Sequence, residues 1–325
     1  KRYLSLLLAV SLVFPLLFSA CNTQRTPPTQ EASQSPSIAP AEDVSQAPSS
    51  QKSSPESVES SLAEEPVKEE KPEEKEETKE EKKSYPYSRP LKEISAISDQ
   101  EVFEQISMSW EELSAFDNTS VTWGPGPTQN EVRPAAPVEL QNTYGEYGAL
   151  FIAPESPQIY LTFDEGYDAG YNEEILDVLK EKEVSALFFV TLGFVRSRPD
   201  LVQRMLEEGH AIGNHSVYHI SFPDMELMDC AKDVLYLHRY MEENFGYEMT
   251  VCRPPAGAFS PRTLVLLQEL GYTSMFWSFA YRDWLLDEQP APAEGLATVI
   301  GRSHPGAIYL LHAVSSTNAE ILPEA

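Results

Sequence analysis

The hydrophobic positions of this chain change character at about residue 158. From Gln158 onward, short apolar runs alternate with amphipathic stretches of helical length, whereas the earlier residues show no such regularity. The runs predict six strands and the stretches between them predict five helices. The predicted strands are 159–163, 186–191, 211–213, 250–252, 274–277 and 307–311. The predicted helices are 172–183, 199–208, 225–244, 261–270 and 292–302.

Alternating strands and helices predict an α/β fold in which helices cover a parallel sheet, built either as a barrel or as a doubly wound sheet. In both architectures the functional groups lie where strands end in loops. Polar residues follow five of the six predicted strands, and we expect them to share one site. They are Asp164 and Glu165, His215 and His219, Arg253, Asp283 with Trp284, and His312.

The residues before 158 predict three further segments. Residues 1–21 combine two cations, a short apolar run and small residues before Cys21, which resembles a bacterial export signal ending in a lipidated cysteine. An uncleaved membrane anchor is the alternative, although the run is short for a spanning helix. Either way, the rest is expected outside the cytoplasm, held at the outer face of the membrane. Residues 22–90 are rich in Ser, Pro, Glu and Lys and predict a disordered linker. Residues 91–157 are predicted to be a lead-in segment, and residues 158–325 are predicted to form the catalytic domain.

Charge excludes one class of partner. The formal net charge of the whole chain is −27. Residues 22–90 hold 15 acidic and 9 basic residues, and Lys1 and Arg2 add two positive charges. The remaining residues, 91–325, therefore carry a net charge of −23. A domain this acidic repels nucleic acid, and its substrate is expected to be neutral or only locally charged. Cys230 and Cys252 are expected to be buried apolar residues rather than a disulfide or metal ligands.

The candidate chemistry begins with two histidines in the stretch NHSVYH. His215 and His219 are spaced to aim both imidazoles at one divalent metal ion, although such a pair alone is a weak signal. A carboxylate from another strand end, Glu165 or Asp164, would complete three ligands and leave positions for water and substrate. The other carboxylate is a candidate general base, and Arg253 is suited to orient it through a forked hydrogen bond.

Five stretches, TFDEGYDAGY, NHSVYH, RPPAG, RDW and IYLLH, resemble in order the motifs of the polysaccharide deacetylases, the nodulation-type carbohydrate esterase family 4. The resemblance covers residues 120–325 and is strongest to the delta-lactam-biosynthetic branch, which removes acetyl groups from peptidoglycan N-acetylmuramic acid. It implies a distorted (β/α) barrel and a hydrolase of linear amide bonds. Because family members continue past the IYLLH motif, the last β/α unit is expected to be truncated here.

The resemblance also implies four catalytic roles. Asp164 is the expected base and Arg253 its orienting partner. His312 is the expected general acid, and Asp283 is expected to tune it.

Metal and substrate contacts are implied in the same way. A divalent ion, with zinc as the first choice, is expected on His215 and His219. Glu165 is the expected third ligand, but it stands where classical members have an aspartate, so its ligation is an open alternative. Three residues are the expected substrate contacts: Trp284, which would shape the acetyl pocket, Tyr167 and Pro255.

The expected function is therefore removal of N-acetyl groups from the amino sugars of peptidoglycan, with N-acetylmuramic acid as the first choice of sugar. The enzyme is expected to be a monomer. Two alternatives remain open. One is a peptidoglycan N-acetylglucosamine deacetylase, and the other is a non-catalytic wall-binding lipoprotein with a deacetylase fold.

Overall fold

The structure is a computed structural model that describes Tyr87, residues 89–126 and residues 128–325. The predicted signal segment with Cys21, and most of the predicted linker, lie outside these described residues. The helices within them are α1 (Asp99–Gln105), α2 (Trp110–Ser114), α3 (Ala135–Tyr144), α4 (Asn172–Glu181), α5 (Leu192–Ser197), α6 (Pro199–Glu207), α7 (Leu227–Phe245), α8 (Pro261–Glu269), α9 (Pro292–Gly301) and α10 (Ser316–Ile321). The strands are β1 (Val121–Thr122), β2 (Ala149–Leu150), β3 (Ile159–Glu165), β4 (Leu187–Val190), β5 (Ala211–Asn214), β6 (Val251–Cys252), β7 (Ala258–Phe259), β8 (Thr273–Met275), β9 (Phe279–Ala280) and β10 (Ala307–His312).

Eight strands form one parallel sheet that curls into a partial barrel, in the order β2-β8-β6-β5-β4-β3-β10-β9. The longest pairing joins β3 to β10 over six residue pairs and ends with Asp164 opposite His312. In the described part of the chain, β2 and β9 are edge strands that pair over two residues each, so the sheet is open between them. The predicted distorted (β/α) barrel is confirmed.

The two faces of this sheet carry different cores. In β10, Tyr309 and Leu311 belong to an outer core beneath the helices, whereas Ile308 and Leu310 belong to a smaller inner core. The division follows from the strand itself, because successive side chains point to opposite faces. The same alternation decides which polar residues of a strand reach the inside of the barrel.

All six predicted strands and all five predicted helices are present, and no end is shifted by more than two residues. The fifth predicted strand was placed too late, since β8 ends at Met275, and the loop that carries Asp283 follows the short β9 instead. Cys230 and Cys252 are buried free thiols, as predicted. None of the helices in the described residues is long and apolar enough to cross a membrane.

Gly213 in β5 is a position where one added methyl group should be harmful. A Cβ atom there would lie 2.4 Å from Cδ1 of Phe189, and the Phe189 ring also contacts the guanidinium of Arg253. Because a close-packed interior resists such overlap, Gly213→Ala is expected to lower the free energy of unfolding by about 1–3 kcal/mol. Urea denaturation of the full chain measures this change.

Gly301→Ala provides the matched control for this prediction. Gly301 is the last residue of α9, and no atom lies within 4 Å of its added Cβ. This variant is expected to be as stable as the wild type. Equal stability of the two alanine variants would contradict the proposed clash at Gly213.

Candidate active site

A cleft of about 730 Å³ opens at the carboxyl ends of the sheet strands. Eight of the ten predicted site residues come together there. Those that line the cleft are Asp164, Tyr167, His215, His219, Trp284 and His312. Arg253 and Asp283 lie directly behind this lining, each fully buried and each bonded to a lining residue.

Arg253 follows β6 and holds the end of β3 from inside the barrel. Its Nη1 donates to Asp164 Oδ1 at 2.6 Å, and its Nη2 donates to Thr162 Oγ1 at 2.8 Å. The same guanidinium donates to the carbonyl oxygens of Met275 and Phe276 at 3.1 and 3.2 Å. Because these acceptors come from two separate parts of the chain, the Arg253 side chain is fixed in one orientation.

This arrangement determines the charge of Asp164. Burial by itself would raise the pKa of its carboxyl, but the attraction of Arg253, His215 and His312 outweighs burial and lowers the pKa below its ordinary value. Asp164 is therefore a carboxylate at neutral pH. Arg253 occupies Oδ1, while Oδ2 lies 3.5 Å from Nε2 of His215 and borders the cleft.

His215 is held as a neutral imidazole. Its Nδ1 lies 2.9 Å from the carbonyl oxygen of Arg253, an acceptor that assigns the proton to Nδ1 and leaves a lone pair on Nε2. Burial lowers the pKa of His215 to about 4. The His219 ring lies 4.8 Å from the His215 ring, centroid to centroid, on the same turn.

The turn that carries both histidines has an unusual backbone. Ser216 and His219 have φ values of 72° and 55°, a region that side chains disfavour. Side-chain oxygens hold this turn by accepting hydrogen bonds from its backbone. Asn214 Oδ1 accepts from Ser216 N at 2.9 Å, and Ser216 Oγ accepts from His219 N at 2.8 Å. From α7, Asp233 Oδ1 accepts from Val217 N at 2.9 Å. The histidine pair is thus fixed by its own loop and by a helix.

The pair offers two imidazole side chains at one point, which suits a divalent metal ion. The described residues do not, however, bring three His, Cys, Asp or Glu side chains together as a ligand set. His215 and His219 are the described residues that would hold such an ion.

Glu165 does not reach the cleft, so the predicted third ligand is corrected. It neighbours Asp164 in β3 and points to the opposite face of the sheet. Its carboxyl is fully buried, where Oε2 accepts from Asn172 Nδ2 at 3.3 Å, and no described group pairs with Oε1. Burial raises the pKa of Glu165 well above its ordinary value, which favours a neutral carboxylic acid.

Pro255 is a second correction, because it is buried and is not among the described residues that line the cleft. The next two residues, Ala256 and Gly257, line it instead. Ala256 has a φ of 54°, and this left-handed step turns the backbone of the RPPAG stretch toward the opening.

His312 ends β10 on the other side of Asp164. Its Nδ1 lies 2.8 Å from Asp283 Oδ1, and its backbone N–H donates to Asp283 Oδ2 at 2.8 Å. Burial by itself would lower the pKa of His312. The hydrogen bond and negative charge of Asp283, with a smaller contribution from the charge of Asp164, outweigh burial and raise this pKa. The Trp284 ring stands 5.9 Å from the His312 ring, so it flanks the imidazole at the cleft.

Sequence reasoning missed two residues that complete these pairs. Thr162 lies two positions before Asp164, on the same face of β3, and the period of the strand would have revealed it. Asn318, in α10, donates from Nδ2 to Asp283 Oδ2 at 2.6 Å and is 3% exposed. No local pattern marks Asn318, because its contact depends on how α10 folds back beside β10.

Comparison with known proteins gives a consistent result. The sequence model of the polysaccharide deacetylase family matches residues 152–275. An uncharacterized 30.6 kDa protein of Geobacillus stearothermophilus is 42% identical over 214 residues, which are 65% of this chain and 81% of the relative. The peptidoglycan-N-acetylmuramic acid deacetylase PdaA of Bacillus subtilis is 38% identical over 224 residues, 66% of this chain and 82% of that protein.

The solved structure of Bacillus subtilis PdaA, a family 4 carbohydrate esterase, superimposes with a TM-score of 0.62 at 37% identity. The match covers 64% of this chain and 90% of that one. The residues matched by the family model include Asp164, His215, His219 and Arg253. On this evidence the chain belongs to the polysaccharide deacetylase family.

Proposed function

We propose that this protein hydrolyses the N-acetyl groups of peptidoglycan amino sugars, and that N-acetylmuramic acid is its substrate. One observation carries the proposal: a carboxylate held by Arg253 and an imidazole held by Asp283 end two adjacent strands beside the histidine pair His215 and His219. The substrate class is supported by the relative named as a peptidoglycan-N-acetylmuramic acid deacetylase.

We place a divalent metal ion, zinc as the first choice, on His215 and His219, because imidazole nitrogen is a preferred zinc ligand. When bound, such an ion polarises the acetyl carbonyl and lowers the pKa of a coordinated water. Arg253 supports this arrangement from behind, since its carbonyl oxygen fixes the His215 ring through Nδ1.

Asp164 is the proposed general base. Its Oδ1 is occupied by Arg253, so Oδ2 is the oxygen that takes a proton from the attacking water. The low pKa keeps this oxygen unprotonated over the working pH range. The fixed guanidinium also prevents the carboxylate from rotating away from the water.

His312 is the proposed general acid. Asp283 accepts from Nδ1–H, so the second proton of the imidazolium is on Nε2, which is free to donate to the substrate. As the amide C–N bond breaks, this proton goes to the departing nitrogen and leaves a free amine. The acetyl carbon keeps the oxygen of water, and the products are acetate and the deacetylated sugar.

The same function places the domain outside the cytoplasm, at the cell wall. We propose that Cys21 carries a lipid anchor, that residues 22–90 let the domain reach the wall, and that the protein is a monomer. Acetate loss from N-acetylglucosamine is the alternative outcome of the test below.

The first test is incubation of the full chain with purified peptidoglycan and divalent metal ions. Digestion to muropeptides and tandem mass spectrometry then locate any lost acetyl group. We expect loss from N-acetylmuramic acid that stops with a chelator and returns when zinc is added. Loss from N-acetylglucosamine would correct the substrate, and no loss with any metal from a folded protein would refute the function.

Removing the proposed acid or base should separate catalysis from folding. His312→Ala is expected to lower kcat about 10²- to 10⁴-fold, because the leaving nitrogen loses its proton donor. Asp164→Asn is expected to be at least as inactive and also less stable by about 3–5 kcal/mol, because Arg253 loses its buried counter-charge. Acetate release gives the rates and urea denaturation gives the stabilities. Wild-type rates in both variants would rule out the mechanism.

The pH profile should report the His312–Asp283 pair. Only protonated His312 can donate, and its pKa is raised above the ordinary 6.5, so activity is expected to fall as pH rises through that raised value. Asp283→Asn removes the negative charge beside His312, so burial becomes the dominant influence and lowers the pKa of His312. The alkaline limb of kcat is then expected to move to lower pH by about one unit or more.

The control for this shift is Arg282→Gln, which changes an exposed neighbouring charge that pairs with Glu288. This variant is expected to leave the alkaline limb in place. An unchanged limb in Asp283→Asn would exclude His312 as the group that sets it.

A further inference from the structure

Tyr218 is the most exposed of the large hydrophobic side chains in the described residues, at 74%. It lines the cleft beside His219, and no predicted role falls on it. An exposed aromatic ring gains nothing from the protein core, so its position at the cleft points to a ligand rather than to folding. We propose that Tyr218 forms a binding subsite for a neutral sugar ring next to the reacting sugar. This inference rests on the proposed function.

The backbone holds Tyr218 in place. The left-handed residues Ser216 and His219 enclose it, and Oδ1 of Asp233 accepts from the N–H group of the preceding residue, Val217. Asp233 is buried on α7 and is itself 6% exposed. A ring carried on so fixed a turn loses little conformational entropy when a ligand stacks on it, which is the usual advantage of aromatic contacts.

Two other exposed aromatic residues line the same cleft. Tyr167, after β3, is 51% exposed, and Trp284, after β9, is 48% exposed. The three rings arise from three different strand ends around Asp164. A sugar has an apolar face of C–H groups and a polar edge, and partly wet aromatic rings match both. Their arrangement suits a glycan of several sugars better than one isolated sugar.

The charges at the cleft indicate which sugar binds on Tyr218. The described residues that line the cleft include Asp164 and three histidines but no lysine or arginine. Tyr218 therefore has no fixed cation beside it in this lining, and a neutral N-acetylated hexosamine needs none. In an alternating glycan, an acidic reacting sugar has neutral neighbours, so Tyr218 is expected to hold N-acetylglucosamine.

The test compares two ligands on four forms of the full chain. The probes are free N-acetylmuramic acid, which has no neighbouring sugar, and the tetrasaccharide of alternating N-acetylglucosamine and N-acetylmuramic acid, titrated by calorimetry in the presence of a chelator to prevent turnover. Tyr218→Ala is expected to weaken tetrasaccharide binding about five- to tenfold and to change the binding of free N-acetylmuramic acid less than twofold. Tyr218→Phe keeps the ring and should bind like the wild type.

Phe103→Ala is the matched control, since Phe103 is 43% exposed on α1 and is not among the described residues that line the cleft. It should bind both probes like the wild type. Zinc affinity, measured separately, should be the same in Tyr218→Ala and wild type, which shows that the histidine turn is intact.

The inference is overturned if Tyr218→Ala binds the tetrasaccharide as tightly as the wild type, if both probes weaken equally, or if the wild type binds neither. Acetate release is a separate measurement. Selective loss of tetrasaccharide binding in a protein that releases no acetate would refute the proposed reaction and leave the subsite standing.

Discussion

The buried contact between Arg253 and Asp164 is the interaction on which the site depends. A guanidinium with no exposure to solvent is costly to bury, and it persists here because its donors meet a carboxylate, a hydroxyl and two carbonyl oxygens. The ring of Phe189 lies 4.1 Å from the guanidinium and completes its surroundings. Catalytic charge and barrel packing are therefore one arrangement, and a change in either disturbs the other.

Two imidazoles at this cleft are tuned in opposite directions by their immediate surroundings. His215 faces a carbonyl oxygen and is deeply buried, so it stays neutral and can offer a lone pair. His312 faces the carboxylate of Asp283, which favours its charged form. The proposed ligand role of one and the proposed acid role of the other thus follow from what their Nδ1 atoms contact.

The sequence allowed the barrel and most of the site to be predicted, because both depend on local patterns. Apolar runs located the long strands, and the strand ends gathered Asp164, His215, His219, Arg253 and His312. The two-residue strands β2 and β9 were missed, since two residues give no periodicity. Glu165 was assigned to the metal because motif order does not reveal which face of β3 a residue occupies. The contact of Asn318 depends on tertiary packing alone.

The bond from Asn318 to Asp283 has a consequence for the order in which the enzyme matures. A polypeptide emerges from the ribosome amino end first, so the base, its arginine and the histidine pair are made before Asp283, His312 and Asn318. Asn318 can donate to Asp283 and to the carbonyl oxygen of His312 only when α10 packs beside β10. An incomplete chain can therefore contain the proposed base and the histidine pair and still lack the proposed proton donor with its carboxylate and amide partners.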